Sequence, residues 1–150
     1  MSSKLRQKWH TFLNLPRQSD ITWHKSRLSE ELSEWRKATT PLARLSETSD
    51  VLFTISRAEH DGFPIPFRPA WSRTYNALAS TYMLGKFTSR WYFYRVAAYF
   101  AGKHDWRGVR EVVNPRKGMK LDEVADRHGI DKAKFGRVGR LLLWALPVFP

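Results

Sequence analysis

WSRTYNALASTYMLGKFTSRWYFYRVAAYFA, residues 71–101, contains no proline and no acidic side chain. Tyr75, Leu78 and Tyr82 share one face at helical spacing, and Phe87, Trp91, Tyr94 and Ala98 continue the same period. That recurrence is the signature of a helix and not the two-residue alternation of a strand. The stretch therefore predicts one long helix, or two broken near Gly85. Ten of its 31 residues are aromatic and it is apolar on more than one side, which suits a central, buried helix. Lys86, Arg90 and Arg95 alternate with the rings. Read as a surface, the same segment would be a platform for stacking on bases or lodging in a lipid interface.

The flanking segments carry helical patterns too. Asp20 or Thr22 can cap a helix running to about Ala38, with Leu28, Leu32 and Trp35 on one stripe. Glu30, Glu31 and Glu34 face Lys25, Arg27 and Lys37 as a solvated, salt-bridged surface. Thr39-Thr40-Pro41 restarts the chain, Ser49 or Asp50 offers an internal cap, and Gly62 closes the helix. Phe63 to Pro69 holds three prolines and reads as an extended linker. Asp105 can cap a short helix from Trp106 to Val113, ended by Asn114-Pro115. The predicted fold class is all-α: a single compact helical domain over residues 20–150, preceded by a basic N-terminal arm over residues 1–19. Lys4, Arg6, Lys8 and Arg17, with no acid among them, allow that arm to be read also as a mitochondrial transit peptide.

Length and composition narrow the function classes. A chain of 150 residues and 17.6 kDa can build a core without metal or disulfide. The absence of cysteine excludes disulfide scaffolds, thiolate zinc sites and thiol catalysis. No uncharged stretch reaches the roughly 20 residues of a spanning helix. The net charge is +12, and residues 62–120 hold eleven basic against two acidic side chains. Such asymmetry points to an anionic partner: nucleic acid, a phospholipid surface or an acidic protein.

Residues 121–138, LDEVADRHGIDKAKFGRV, read as helix, turn, helix. Ala125 supplies the small residue at the crossing, Gly129 the turn, and Ile130, Phe135 and Val138 the inward contacts. The segment resembles helix-turn-helix DNA-binding units. The candidate nucleic-acid or anion-binding residues are Lys132, Lys134, Arg137 and Arg140 on the second helix, with Arg116 and Lys117 in the basic loop before it. Gly136 and Gly139 speak against a regular helix, at about 1 kcal/mol each. Asp122, Glu123 and Asp126 are an unusual choice beside a duplex.

Catalytic, cofactor-binding and metal-ligating residues are not assigned. No histidine pair has metal-ligand spacing, and there is no phosphate-binding or nucleophile motif. Glu59-His60-Asp61-Gly62 is the one acid/base cluster, and it lacks a partner nucleophile.

Trp23-His24, Arg27-Leu28, Glu31-Leu32, LSETSDV at 45–51, Ser56-Arg57-Ala58, Asp61-Gly62-Phe63-Pro64, Tyr82-Met83-Leu84, REVVNP at 110–115 and LDEVA at 121–125 resemble short uncharacterised proteins of filamentous fungi. The resemblance covers about residues 21–141. It implies a fungal, intracellular setting, with nucleus against mitochondrion left open, and admits an accessory role in a fungal metabolic pathway. It implies no catalytic residue. The expected function is a non-catalytic basic module binding nucleic acid through the C-terminal unit. The alternatives are the accessory role and a membrane-surface or mitochondrial partner-binding protein.

Overall fold

A computed structural model describes residues 3–18, 20–67, 70–117 and 119–145. The chain is all-α, with no strand among the described residues. The elements are α1 (Ser3–Leu13), α2 (Ile21–Lys37), α3 (Pro41–Asp61), α4 (Arg73–Phe100), α5 (Lys120–His128) and α6 (Lys132–Ala145). A single 3₁₀ turn, Trp106–Gly108, lies between α4 and α5. Contacts divide the chain into two compact units, Met1–Gly85 and Lys86–Pro150, with the division inside α4 and not at residues 19–20. The long aromatic segment is one helix, unbroken at Gly85.

In the first unit, Asp20 accepts the Thr22 amide at 2.8 Å and starts α2. Thr40 accepts the Ala43 amide at 3.1 Å, and Pro41 stands in the first turn of α3. Both caps satisfy amides that have no partner within the helix. The short link at residues 38–40 makes α2 and α3 a helical hairpin, which buries Leu28, Val51 and Ala58. No internal cap forms at Ser49 or Asp50. Ser49 Oγ instead donates back to the Ser46 carbonyl, and α3 runs on to Asp61. Thr48 ties the hairpin to α4. Its hydroxyl donates to the Arg44 carbonyl at 2.7 Å, leaving its oxygen to accept from the Trp35 indole at 3.0 Å and the Tyr75 hydroxyl at 3.1 Å.

Two expectations are corrected in this unit. The N-terminal segment is not an arm outside the core: α1 packs on α3, and His10 and Leu13 are fully buried. Apolar and polar contacts both hold it: Leu13 lies in the core and Trp9 meets Phe53 edge-on with centroids 6.0 Å apart. Arg57 Nη2 donates to the carbonyls of Leu15 at 3.1 Å and Pro16 at 2.6 Å, and the Gln18 amide donates to Asp61 at 3.2 Å. The glutamate face of α2 is also not uniformly solvated, because Glu31 is buried and paired with Arg27 at 2.5 Å.

In the second unit, Tyr94 and Phe135 are fully buried and stack with centroids 6.4 Å apart. Around them lie Phe93, Ala97, Ala98, Val109, Val124, Ala125 and Ile130. The helix expected over Trp106–Val113 is a single turn. The Asp105 carboxylate accepts the Gly108 amide at 3.2 Å and closes the turn on itself. The chain beyond is extended at Val109 and sinks Glu111 into the unit. There Arg127 at 2.6 Å and His128 at 3.0 Å both meet its Oε1. Gly129 ends α5 at φ +60°, and the Ile130 amide reaches back to the Ala125 carbonyl at 2.9 Å.

The fold rests locally on Phe135, which has no solvent exposure. Phe135→Ala is expected to destabilise the protein by about 3–5 kcal/mol, read as a lower urea midpoint with little change of helical signal at zero denaturant.

Candidate nucleic-acid interface

Asp131 starts α6 by accepting the Lys134 amide at 2.7 Å. Phe135, Gly136 and Gly139 then face inward, while Lys132, Lys134, Arg137 and Arg140 are exposed. Of the two glycines that count against the helix, Gly139 has a packing reason. A side-chain carbon on Gly139 would stand 3.0 Å from Leu121 Cδ1, so its absence lets α6 approach α5 closely. Over Gly136 lies the guanidinium of Arg140, 3.3 Å from where such a carbon would be.

The four cations of α6 are not equivalent. Lys132 is held by Asp126 at 2.8 Å, and that hydrogen bond raises its pKa above the ordinary lysine value. Lys134 lays its ammonium over Gly102, just past the C-terminal end of α4. Arg137, Arg140, Leu141 and Trp144 are exposed, with the Arg140 guanidinium folded back over Gly136. Glu123 is engaged by Lys120 at 2.6 Å and Asp126 by Lys132, so two of the three acids that look misplaced beside a duplex are partly neutralised. Arg116 and Lys117 are exposed in a turn set by Asn114, whose side-chain oxygen accepts the Arg116 amide at 2.9 Å. Gly118 of the basic loop lies outside the described residues.

A second cationic cluster joins Arg95 of the aromatic segment to residues that the sequence does not bring together with it, Trp106 and Arg107. Arg95 packs its guanidinium 4.0 Å from the Trp91 ring centroid and 5.4 Å from that of Trp106, and Arg107 lies 4.8 Å over the same Trp106 ring. Desolvation, then the charges of Arg107 and Arg110, lower the Arg95 pKa. On the neighbouring stripe of α4, Tyr92, Val96, Tyr99 and Phe100 are exposed. Trp91 and Phe93, which a membrane platform would expose, are instead buried, as is Arg90. The one available signal was Asp105-Trp106-Arg107-Gly108, which is a tight turn rather than a helix start.

In the first unit the acid/base cluster at the end of α3 is larger than the sequence suggested. Asp61 accepts from Arg57 Nε at 2.9 Å, with His60 Nδ1 3.4 Å and His24 Nε2 3.6 Å away. Burial alone would raise its carboxyl, and the hydrogen bonds from Arg57 and the Gln18 amide outweigh that and hold it below the ordinary value. His10 Nε2 stands 2.9 Å from Ser56 Oγ, a nucleophile–base distance. Both residues are sealed, however, at 0% and 2% exposure, so no substrate carbonyl can reach them. Arg57 beside Asp61 also repels a metal ion. Among the described residues the carboxylates that converge are Glu31, Glu34 and Glu47, whose ligand atoms lie within 4.8 Å of one another, with Arg27 already on Glu31.

Among the described residues no helix is long and apolar enough to cross a membrane. Compared with protein-family models, curated proteins and solved structures, the chain matches none.

Desolvation, then the charges of Arg57 and His60, push buried His10 down to about 3. The unfolded chain takes up that proton near pH 6.5 and the folded one does not. Stability from this group is therefore lost as pH falls from about 6.5 towards 3, at about 1.4 kcal/mol per unit. Glu31, raised to about 7 by burial, acts in the opposite sense between about pH 7 and 4.5. Comparison with a variant isolates the histidine. Between pH 7 and pH 5, His10→Gln is expected to gain about 2 kcal/mol relative to wild type in urea unfolding.

Proposed function

We propose that the protein is a non-catalytic, basic helical module that binds nucleic acid, with the outer face of α6 as its contact. The observation that supports this reading is the sidedness of the α5–α6 pair. Phe135, Gly136 and Gly139 are buried, Arg137 and Arg140 are exposed, and Glu123 and Asp126 are engaged by lysines. Residues 86–150 hold fourteen basic against six acidic side chains, so this unit carries +8 of the net +12. Arg116 and Lys117 add charge on the approach to α5. A guanidinium can bind phosphate or the edge of guanine. Nucleus and mitochondrion are the compartments in which such a partner is met.

Affinity for a mixed-sequence duplex should then fall steeply with salt, at a log–log slope of about 0.9 for each neutralised phosphate. Because Lys132 is already paired, Arg137 and Arg140 are the principal contributors. Arg137→Ala with Arg140→Ala is expected to reduce the slope by roughly two. The fold should be unchanged, because neither side chain is on the Phe135–Val138–Leu142 stripe. Equal affinities and equal slopes for the two proteins would remove α6 from the functional account.

A further inference from the structure

We infer that the stripe Tyr92–Tyr99 of α4, with Arg95, Trp106 and Arg107 beside it, binds single-stranded nucleic acid, as a site separate from α6. The inference goes beyond the duplex reading and does not depend on it.

Exposure comes first. Tyr92 is 52%, Tyr99 58% and Phe100 60% exposed, and with Val96 they follow one another at i, i+4, i+7 and i+8. This is one continuous apolar face turned to water, on a helix whose opposite side already buries Phe93, Tyr94, Ala97 and Ala98. Contiguous exposed rings of this kind mark an interaction surface. They are not needed to complete the core.

Charge identifies the occupant. Arg95 and Arg107 meet at the Trp106 ring, whose edge also touches Tyr99 with centroids 5.8 Å apart. Arg95 further senses Arg110, and the acid acting on it is Asp105, which already accepts the Gly108 amide. Convergence of like charges beside open rings is complementary to a chain that alternates phosphate with flat apolar faces. The rings select the strand state. In a duplex the base faces are stacked inside and unavailable, whereas unpaired bases lie open for stacking on Tyr, Trp and Arg planes. In a lipid interface the cations extend towards headgroups, whereas here the guanidiniums of Arg95 and Arg107 lie over indole rings.

The test is fluorescence anisotropy of the full chain with a labelled 20-nucleotide oligothymidine and with a mixed-sequence duplex. Co-sedimentation with vesicles of phosphatidylcholine and phosphatidylserine is run in parallel. Tyr99→Ala is expected to weaken oligothymidine binding about 5- to 100-fold, while Tyr99→Phe, which keeps the ring, stays within about twofold of wild type. Arg107→Ala should lower the single-strand salt slope by about 0.7. Arg137→Ala with Arg140→Ala should leave oligothymidine binding in place, so loss of the α6 reading and loss of this one are separable. Three results would overturn the inference. One is that wild type fails to bind oligothymidine, another that Tyr99→Ala binds it as wild type does. The third is that Tyr99→Ala loses vesicle binding while oligothymidine binding is unaffected.

Discussion

A carboxylate is tolerated in a protein interior only when cations and amide hydrogens surround it. The first unit is arranged around one such group, Asp61. Arg57 Nε satisfies one of its oxygens, the Gln18 amide meets the same oxygen, and His24 and His60 approach from α2 and from α3 itself. The partner matters as much as the carboxylate. Because Arg57 also holds the carbonyls of Leu15 and Pro16, the ion pair at the end of α3 pins the segment that follows α1. Remove the carboxylate, and a buried guanidinium loses its counter-charge together with the geometry that aims it at those carbonyls.

Glu111 plays the corresponding part in the second unit. It is 6% exposed and takes Arg127 and His128 from the last turn of α5. The adjoining His128 carbonyl accepts from Lys103 Nζ at 2.7 Å. The end of α5 is thus tied to the extended segment on one side and to the residues after α4 on the other. With that end held, Gly129 can turn the chain and Gly139 can bring α6 against Leu121.

What was legible in the sequence follows from which interactions are local. The cap at Asp20, the restart at Thr40-Pro41, the stop at Gly62 and the turn at Gly129 depend on neighbours within a few residues, and they stand where the patterns place them. The inward stripe of α6 was equally plain, because Phe135 and Val138 are read from spacing alone. Docking of α1 was not legible. It depends on α3 residues, Phe53 and Ser56 for the helix and Arg57 and Asp61 for the segment after it, each more than forty residues beyond its partner, and a basic segment without acids carries no mark of that partnership. Burial of Glu31 was hidden for a related reason: i, i+4 pairing with Arg27 has the same sequence signature on a wet surface as beneath a neighbouring helix. The cluster around Trp106 was lost to a local competition. Asp105 can cap a helix or close a single turn, and the glycine at 108 favours the turn by offering its amide without a side chain in the way.

Lysine and arginine are used differently in the second unit. Four lysines each make a single contact within the unit. Lys103 caps a carbonyl, Lys120 and Lys132 pair with Glu123 and Asp126, and Lys134 lies over Gly102. A compact ammonium on a flexible stem is suited to such single contacts. Arg107, Arg137 and Arg140 are exposed as well. Guanidinium is planar, stacks on rings and donates a fixed fork of hydrogen bonds, so a surface built from it recognises geometry as well as sign. Arg95 and Arg107 use the ring face of Trp106 as a backing that limits how far they can turn. Less rotational freedom would then remain to be lost to an anionic partner of the kind proposed, and such preorganisation favours a fixed place over diffuse attraction.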